Sequence, residues 1–231
     1  MLVRYRTALR PENRRKFKQK HLSIRSCVLA CSIIMTSERQ QRIESVLNRR
    51  QPDLTIVLEN VFDPHNISAI MRTCDAVGIQ ELYVLNTKIP MHEKWGFKSS
   101  RSAIKWVTAH EYITVKECVT AVRSNYKTVL TTRLENDAVS LYEVDLTGSI
   151  ALVLGNEQNG ISEELSELAD GSITIPQVGM LHSLNISVAC AVILYEAFRQ
   201  KSKAGHYEKA KLDNSKYKQL IHDWGIYHHE K

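Results

Sequence analysis

Apolar positions along this chain change period repeatedly, and the changes mark out alternating strands and helices. Leu54 to Glu59, Glu81 to Leu85, Thr128 to Thr132, Ile150 to Leu154 and Ser172 to Ile175 are short β-rich or continuously apolar runs, which predict strands. Between them, the spacing predicts helices over Ile67 to Val77, Val115 to Asn125 and Ser162 to Ala169, and a long final one over Leu184 to Lys201. In the first helix Ile67, Ile70, Met71, Cys74 and Val77 form an apolar stripe that Gly78 stops. Short strands separated by helices imply an α/β fold, a parallel sheet with helices on both faces. Glu38 to Arg50 carries only Ile43, Val46 and Leu47 at helical spacing and reads as a surface helix ended near Pro52. Asn86 to Lys105 has no clean period and reads as an exposed loop leading into a strand. The chain beyond Gly205 is polar, with a short helix from Leu212 to Trp224.

In such sheets ligands sit at the carboxyl ends of the strands, where Thr132, Gly155 and Ile175 fall. Two segments there share one design. Ile150 to Ser162 runs from an apolar strand through a loop bounded by Gly155 and Gly160 to a helix start. Ile175 to Ser187 runs from strand through Pro176 and Gly179 to another. Helix starts leave backbone N–H groups without internal partners, so Ser183 and Asn185 either cap them or turn toward a ligand. No Lys-Ser/Thr follows the Gly155 to Gly160 loop, which excludes a nucleotide P-loop. Spacing alone makes Glu157 a solvated loop acid, Ser183 an N-cap, and Arg72 a surface partner of Asp75 at i+3. Ser187, Ala189, Cys190 and Ala191 are small enough to let another helix approach, within the chain or from a second copy.

Charge is unevenly placed. Residues 1–34 hold nine Lys/Arg against one acid, a net +8, whereas the whole chain is +6, so residues 35–231 carry −2. The basic pI therefore belongs to an N-terminal arm, and an RNA-binding surface on the body must be a local patch. Lys88, Lys94, Lys98, Arg101 and Lys105 supply one. Five scattered cysteines without a C-x-x-C pair suit a reducing cytosol, and neither they nor the nine histidines form a metal-ligand pattern. The apolar run from Cys27 to Met35 is too short to span a bilayer.

The segments Asn66 to Thr73, Ile150 to Ser162 and Ile175 to Ser187 together resemble the three motifs of the SPOUT-superfamily RNA methyltransferases of the TrmH family, and within them the tRNA guanosine-18 2′-O-methyltransferases. The resemblance runs from about Glu38 to Ala204. It implies a catalytic domain over 35–204 ending in a trefoil knot, a basic N-terminal extension over 1–34 upstream of Met35, and a polar tail over 205–231. It also implies S-adenosylmethionine as cofactor, no metal, tRNA as partner, a homodimer joined through the helix after the third motif, and a cytoplasmic location without membrane attachment. On this resemblance Arg72 and Asn66 are the catalytic residues of motif 1, Glu157 of motif 2, and Ser183 and Asn185 of motif 3. Thr132, Gly155, Ile175, Met180 and Leu184 hold the cofactor, and Lys94, Lys98, Arg101 and Lys105 face RNA. His182 is a bystander.

Family mechanisms use the motif 1 arginine as a base helped by an RNA phosphate. Orientation and stabilisation of a developing alkoxide are the other physical reading. The alternatives in substrate are a ribosomal-RNA guanosine and the tRNA wobble base. A member lacking activity would be an RNA-binding protein on the same fold, which intact Arg72, Glu157, Ser183 and Asn185 argue against.

Overall fold

A computed structural model describes residues 36–91, 103–133, 138–156, 158–181 and 183–225. In chain order the helices are α1 (Ser37–Leu47), α2 (Pro64–Val77), α3 (Val115–Asn125), α4 (Glu163–Glu167), α5 (Ile186–Lys203) and α6 (Asn214–Asp223). The strands are β1 (Leu54–Glu59), β2 (Glu81–Leu85), β3 (Thr108–Tyr112), β4 (Thr128–Thr132), β5 (Val139–Ser140), β6 (Ile150–Leu154) and β7 (Gly171–Thr174). They form one seven-stranded sheet in the order β3-β2-β1-β6-β4-β7-β5, with every pairing parallel. All strand carboxyl ends therefore meet at one edge.

The inner strands β1 and β6 are buried at every position, which is why their sequences are apolar runs rather than alternations. Leu54, Ile56 and Leu58 pack on one face with the α2 stripe and with Ile186, Cys190, Ile193 and Leu194 of α5. Val57, Tyr83 and Leu85 pack on the other with Val115, Cys118 and Val122 of α3 and Leu165 of α4. Each fully buried aliphatic side chain contributes about 1.5–3 kcal/mol, so the double-sided core fixes the strand register.

Helix ends shift where a cap decides them. Helix α2 starts at Pro64, before the expected Ile67, because Asp63 accepts the His65 N–H at 2.8 Å and proline suits the first turn. Gly78 closes it at φ 86, with no room for a side chain because a Cβ would stand 2.6 Å from the Arg49 carbonyl oxygen. Helix α5 starts at Ile186, after the expected Leu184: Asn185, not Ser183, is the cap, its Oδ1 accepting the Ser187 N–H at 2.9 Å. The two-residue β5 was too short to have a legible period. Beyond Gly205 the short helix is present, but Leu220, Ile221 and Trp224 are buried against Ile43 and Leu47 of α1. The polar end of the chain and the sparse first helix thus bury each other's few apolar residues. Among the described residues no helix is long and apolar enough to cross a membrane.

Candidate active site

At the carboxyl edge the loop after β6 closes on itself. Asn156 Oδ1 accepts the N–H groups of Gln158 at 3.0 Å and Asn159 at 2.7 Å, and the Gly160 N–H returns to the Asn156 carbonyl at 3.0 Å. Gly160 takes φ +65, and a Cβ on Gly155 would fall 2.1 Å from the Gly160 backbone. Glycine at 155 is therefore a requirement of the loop.

This loop walls a cavity of about 480 Å³, within the usual size of small-molecule sites. Thr132, Gly155, Ile175, Ser183 and Leu184, all anticipated in the sequence, line it. Apolar side chains from β6, β7 and the first turns of α5 form the walls, and Thr132 anchors its hydroxyl on the Val153 carbonyl at 3.1 Å. Arg133 and Gln177 also line it and were not anticipated. Arg133 directly follows Thr132 at a strand end, and that position was the available signal. A slot with apolar walls, a backbone-only floor at Gly155 and a few polar groups fits an adenosyl group.

Other anticipated residues lie outside the cavity lining. Met180 is 94% exposed on the loop after β7. Asn66, in the first turn of α2, accepts a hydrogen bond from Asn185 Nδ2 at 3.2 Å, so motifs 1 and 3 touch. Arg72 is exposed, off the apolar stripe of α2. Its expected pairing with Asp75 does not form, because the buried Arg50 takes that carboxylate at 2.8 Å. Among the described residues Arg72 has no hydrogen-bond or ion-pair partner, which leaves its guanidinium free for a ligand. Lys105 ends a short 3-10 turn, Ala103–Lys105, and is exposed. Glu157, His182, Lys94, Lys98 and Arg101 lie outside the described residues.

The described cysteines are not activated as nucleophiles. Burial pushes the Cys74 and Cys118 thiols up to about 12, and Cys190 is likewise raised by burial. Among the described residues no group of three His, Cys, Asp or Glu side chains is placed to hold a metal ion.

Residues 53–195 match the model of the SpoU rRNA Methylase family. The chain belongs to that family. It is 46% identical over 191 residues to a tRNA (guanosine(18)-2′-O)-methyltransferase of Thermus thermophilus, covering 82% of this chain and 96% of that one. The crystal structure of the A. aeolicus TrmH/SpoU tRNA modifying enzyme is similar at a TM-score of 0.74 and 37% identity, covering 81% of this chain and 95% of that chain. The SpoU methyltransferase AviRb of Streptomyces viridochromogenes, solved in complex with AdoMet, is similar at a TM-score of 0.59 and 26% identity, covering 67% of this chain and 59% of that one.

Proposed function

We propose that the protein transfers the methyl group of S-adenosylmethionine to a ribose 2′-OH of tRNA, that of guanosine-18 in the D-loop. The observation that carries the reading is the cavity at the carboxyl edge, formed by motif 2 and motif 3 segments in a chain so similar to tRNA guanosine-18 enzymes. When bound, S-adenosylmethionine would supply an electrophilic sulfonium methyl to the ribose oxygen, the carbon–sulfur electron pair staying on the thioether sulfur and the hydroxyl proton passing to solvent. Leu184, Ile175 and the Gly155 backbone would hold the adenosyl part. Ser183 would border the cofactor at the cavity wall. Orienting the two reactants can remove about 7–11 kcal/mol of barrier, so holding them is most of the task. Arg72 would stabilise negative charge developing on the ribose oxygen, with Asn66, Asn185 and Glu157 holding the geometry.

The active form is a homodimer on this reading. Val188, Tyr195 and Phe198 follow helical spacing along α5 and remain exposed. An apolar stripe of this kind marks an interaction surface. A second copy across α5 would bring a motif 1 arginine toward a cavity that Arg72 of the same chain does not line. The C-terminal part of the domain, 35–204, is read as a trefoil knot, with family membership as the support. Residues 1–34 are an extension outside the catalytic unit, Lys94, Lys98, Arg101 and Lys105 belong to the RNA-facing surface, and the enzyme acts in the cytoplasm.

The test is transfer of labelled methyl from S-adenosylmethionine to unmodified tRNA, to tRNA already 2′-O-methylated at guanosine-18, and to ribosomal RNA. Transfer to the first alone is expected. Equal labelling of the first two would move the target nucleotide, and labelling of ribosomal RNA alone would move the substrate class.

A further inference from the structure

Strand β1 ends in a polar pair, Glu59-Asn60, after an unbroken buried run. The two side chains hold different loops of the same edge. Glu59, 1% exposed, accepts the Ser162 N–H through Oε2 at 2.8 Å and so fixes the exit of the cofactor-side loop. Its Oε1 is buried and has no partner among the described residues. Asn60 turns to the segment after β2: its Oδ1 accepts the N–H groups of both Thr87 and Lys88 at 2.9 Å, and its Nδ2 donates to Thr87 Oγ1 at 3.0 Å.

Asn60 is also the one non-glycine residue with positive φ among the described residues, at 50°. Left-handed backbone is costly for most side chains and least so for Asn. Such strain persists where surrounding structure holds it, commonly at functional sites. Here it aims an amide at two successive backbone donors and presents Lys88 at the edge. The Lys88 side chain is exposed, and among the described residues its ammonium has no hydrogen-bond or ion-pair partner. Phe62, two residues past Asn60, is 51% exposed. An exposed cation and an exposed aromatic ring are the groups that take an RNA phosphate and an unstacked base.

We propose that Asn60 is a positioning residue for tRNA, fixing Thr87 and Lys88 so that the Lys88 ammonium meets an RNA phosphate beside the cofactor cavity. The inference rests on the reading of this edge as a tRNA methyltransferase site. It separates the duties of the pair: Glu59 serves the cofactor side and Asn60 the RNA side.

The experiment compares the full-length wild type with Asn60→Gly, Asn60→Asp, Lys88→Ala and the Asn60→Gly/Lys88→Ala pair. Turnover gives KM and kcat for tRNA, filter binding gives the tRNA Kd, and titration gives the cofactor Kd. Glycine keeps the positive φ but loses the side-chain hydrogen bonds, so KM and Kd for tRNA should rise about tenfold while kcat and cofactor Kd hold. Aspartate keeps the acceptor for both N–H groups, with Thr87 Oγ1 able to donate to its second oxygen, and should stay near wild type. Lys88→Ala should give a similar rise and lower the salt slope of binding by about one. The pair should be no worse than Lys88→Ala alone, because Asn60 acts through Lys88. Fully additive losses, or a glycine variant whose cofactor affinity and melting temperature fall together with its tRNA affinity, would overturn the proposal. Wild type that binds tRNA without methylating it would instead sink the enzymatic reading, leaving the binding arm to judge Asn60.

Discussion

The two edges of the sheet are built on opposite terms. At the amino edge, buried cations bridge backbone carbonyls and a carboxylate. The fully buried Lys201 donates to the carbonyls of Thr147 at 2.9 Å and Gly148 at 3.1 Å and pairs with Asp53 at 3.2 Å, while Lys211 takes the other Asp53 oxygen at 2.7 Å. Arg50, also fully buried, donates to the carbonyls of Ile79 at 3.2 Å and Trp106 at 2.9 Å and lies 5.3 Å from the Trp224 ring centre. Burial alone would raise the Asp53 carboxyl, and the Lys211 and Lys201 ammonium groups outweigh it, holding that pKa low. The carboxyl edge has positive-φ residues at Asn60 and Gly160, an orphaned Glu59 oxygen, and exposed Val178, Met180 and Leu181. The amino edge is braced by these cation contacts, although Arg50 Nε, Gln51 Oε1 and Gln80 Oε1 are buried there without hydrogen-bond partners among the described residues, whereas the carboxyl edge turns exposed apolar side chains and a positive-φ asparagine outward. Strain is tolerable at a working edge when the opposite edge is firmly braced.

That contrast breaks most visibly at Lys201. Lys201→Met leaves Asp53 short of a partner and two carbonyls unsatisfied, and losing one member of a buried pair costs about 3–5 kcal/mol, so the melting temperature should fall by roughly 10 °C. Cofactor affinity measured well below the transition should be unchanged. A Lys201→Met protein with a normal melting temperature would show that the amino edge is not the clamp described here.

Gly155→Ala is the mirror experiment at the carboxyl edge. A methyl group 2.1 Å from the Gly160 backbone must push the loop open, and displacements near 1 Å at a site cost about 10²-fold. Calorimetric titration should show cofactor affinity reduced by that order, with a smaller change in melting temperature than Lys201→Met produces. Unchanged affinity would place the cofactor elsewhere.

The smallest expected effect concerns acid. The His110 imidazole, its Nε2 3.7 Å from Glu81 Oε2, assisted by Lys216 of α6 at 2.7 Å, draws the Glu81 carboxyl down from 4.5 to about 2 against the opposing effect of burial. Because the folded value lies below the unfolded one, this contribution is fully present above about pH 4.5 and fades as pH falls toward 2. Glu81→Gln should flatten the fall in stability across that window in acid-unfolding curves. The contact is half-buried, so screening keeps the difference modest. Identical slopes for the two proteins would remove Glu81 from the amino-edge lock.

Much of this contrast was readable in the chain, and the unreadable part has a common cause. Strands β1, β2, β4 and β6 and helix α3 fall where the periods placed them, because one buried face or an unbroken apolar run leaves little freedom. The cavity residues Thr132, Gly155, Ile175, Ser183 and Leu184 were legible from strand ends and motif resemblance together. What escaped depends on partners distant in sequence. Nothing near Asp75 reveals that Arg50 rather than Arg72 would claim it, 25 residues away. Lys201 looks like a solvated helix end until Asp53 and the Thr147 carbonyl close over it. Asn60 carried a faint local signal, a polar pair ending an apolar run, but its partners Thr87 and Lys88 come only through the β1–β2 pairing.

The most direct test of a working carboxyl edge is single-turnover methyl transfer to unmodified tRNA by Arg72→Lys, with cofactor and tRNA affinity measured on the same preparation. Lysine keeps the charge but not the planar fork that a guanidinium offers. The account predicts a rate reduced at least about 100-fold with both affinities nearly unchanged, the pattern of a group needed chiefly in the transition state. A lysine variant that turns over at near wild-type rate would contradict it.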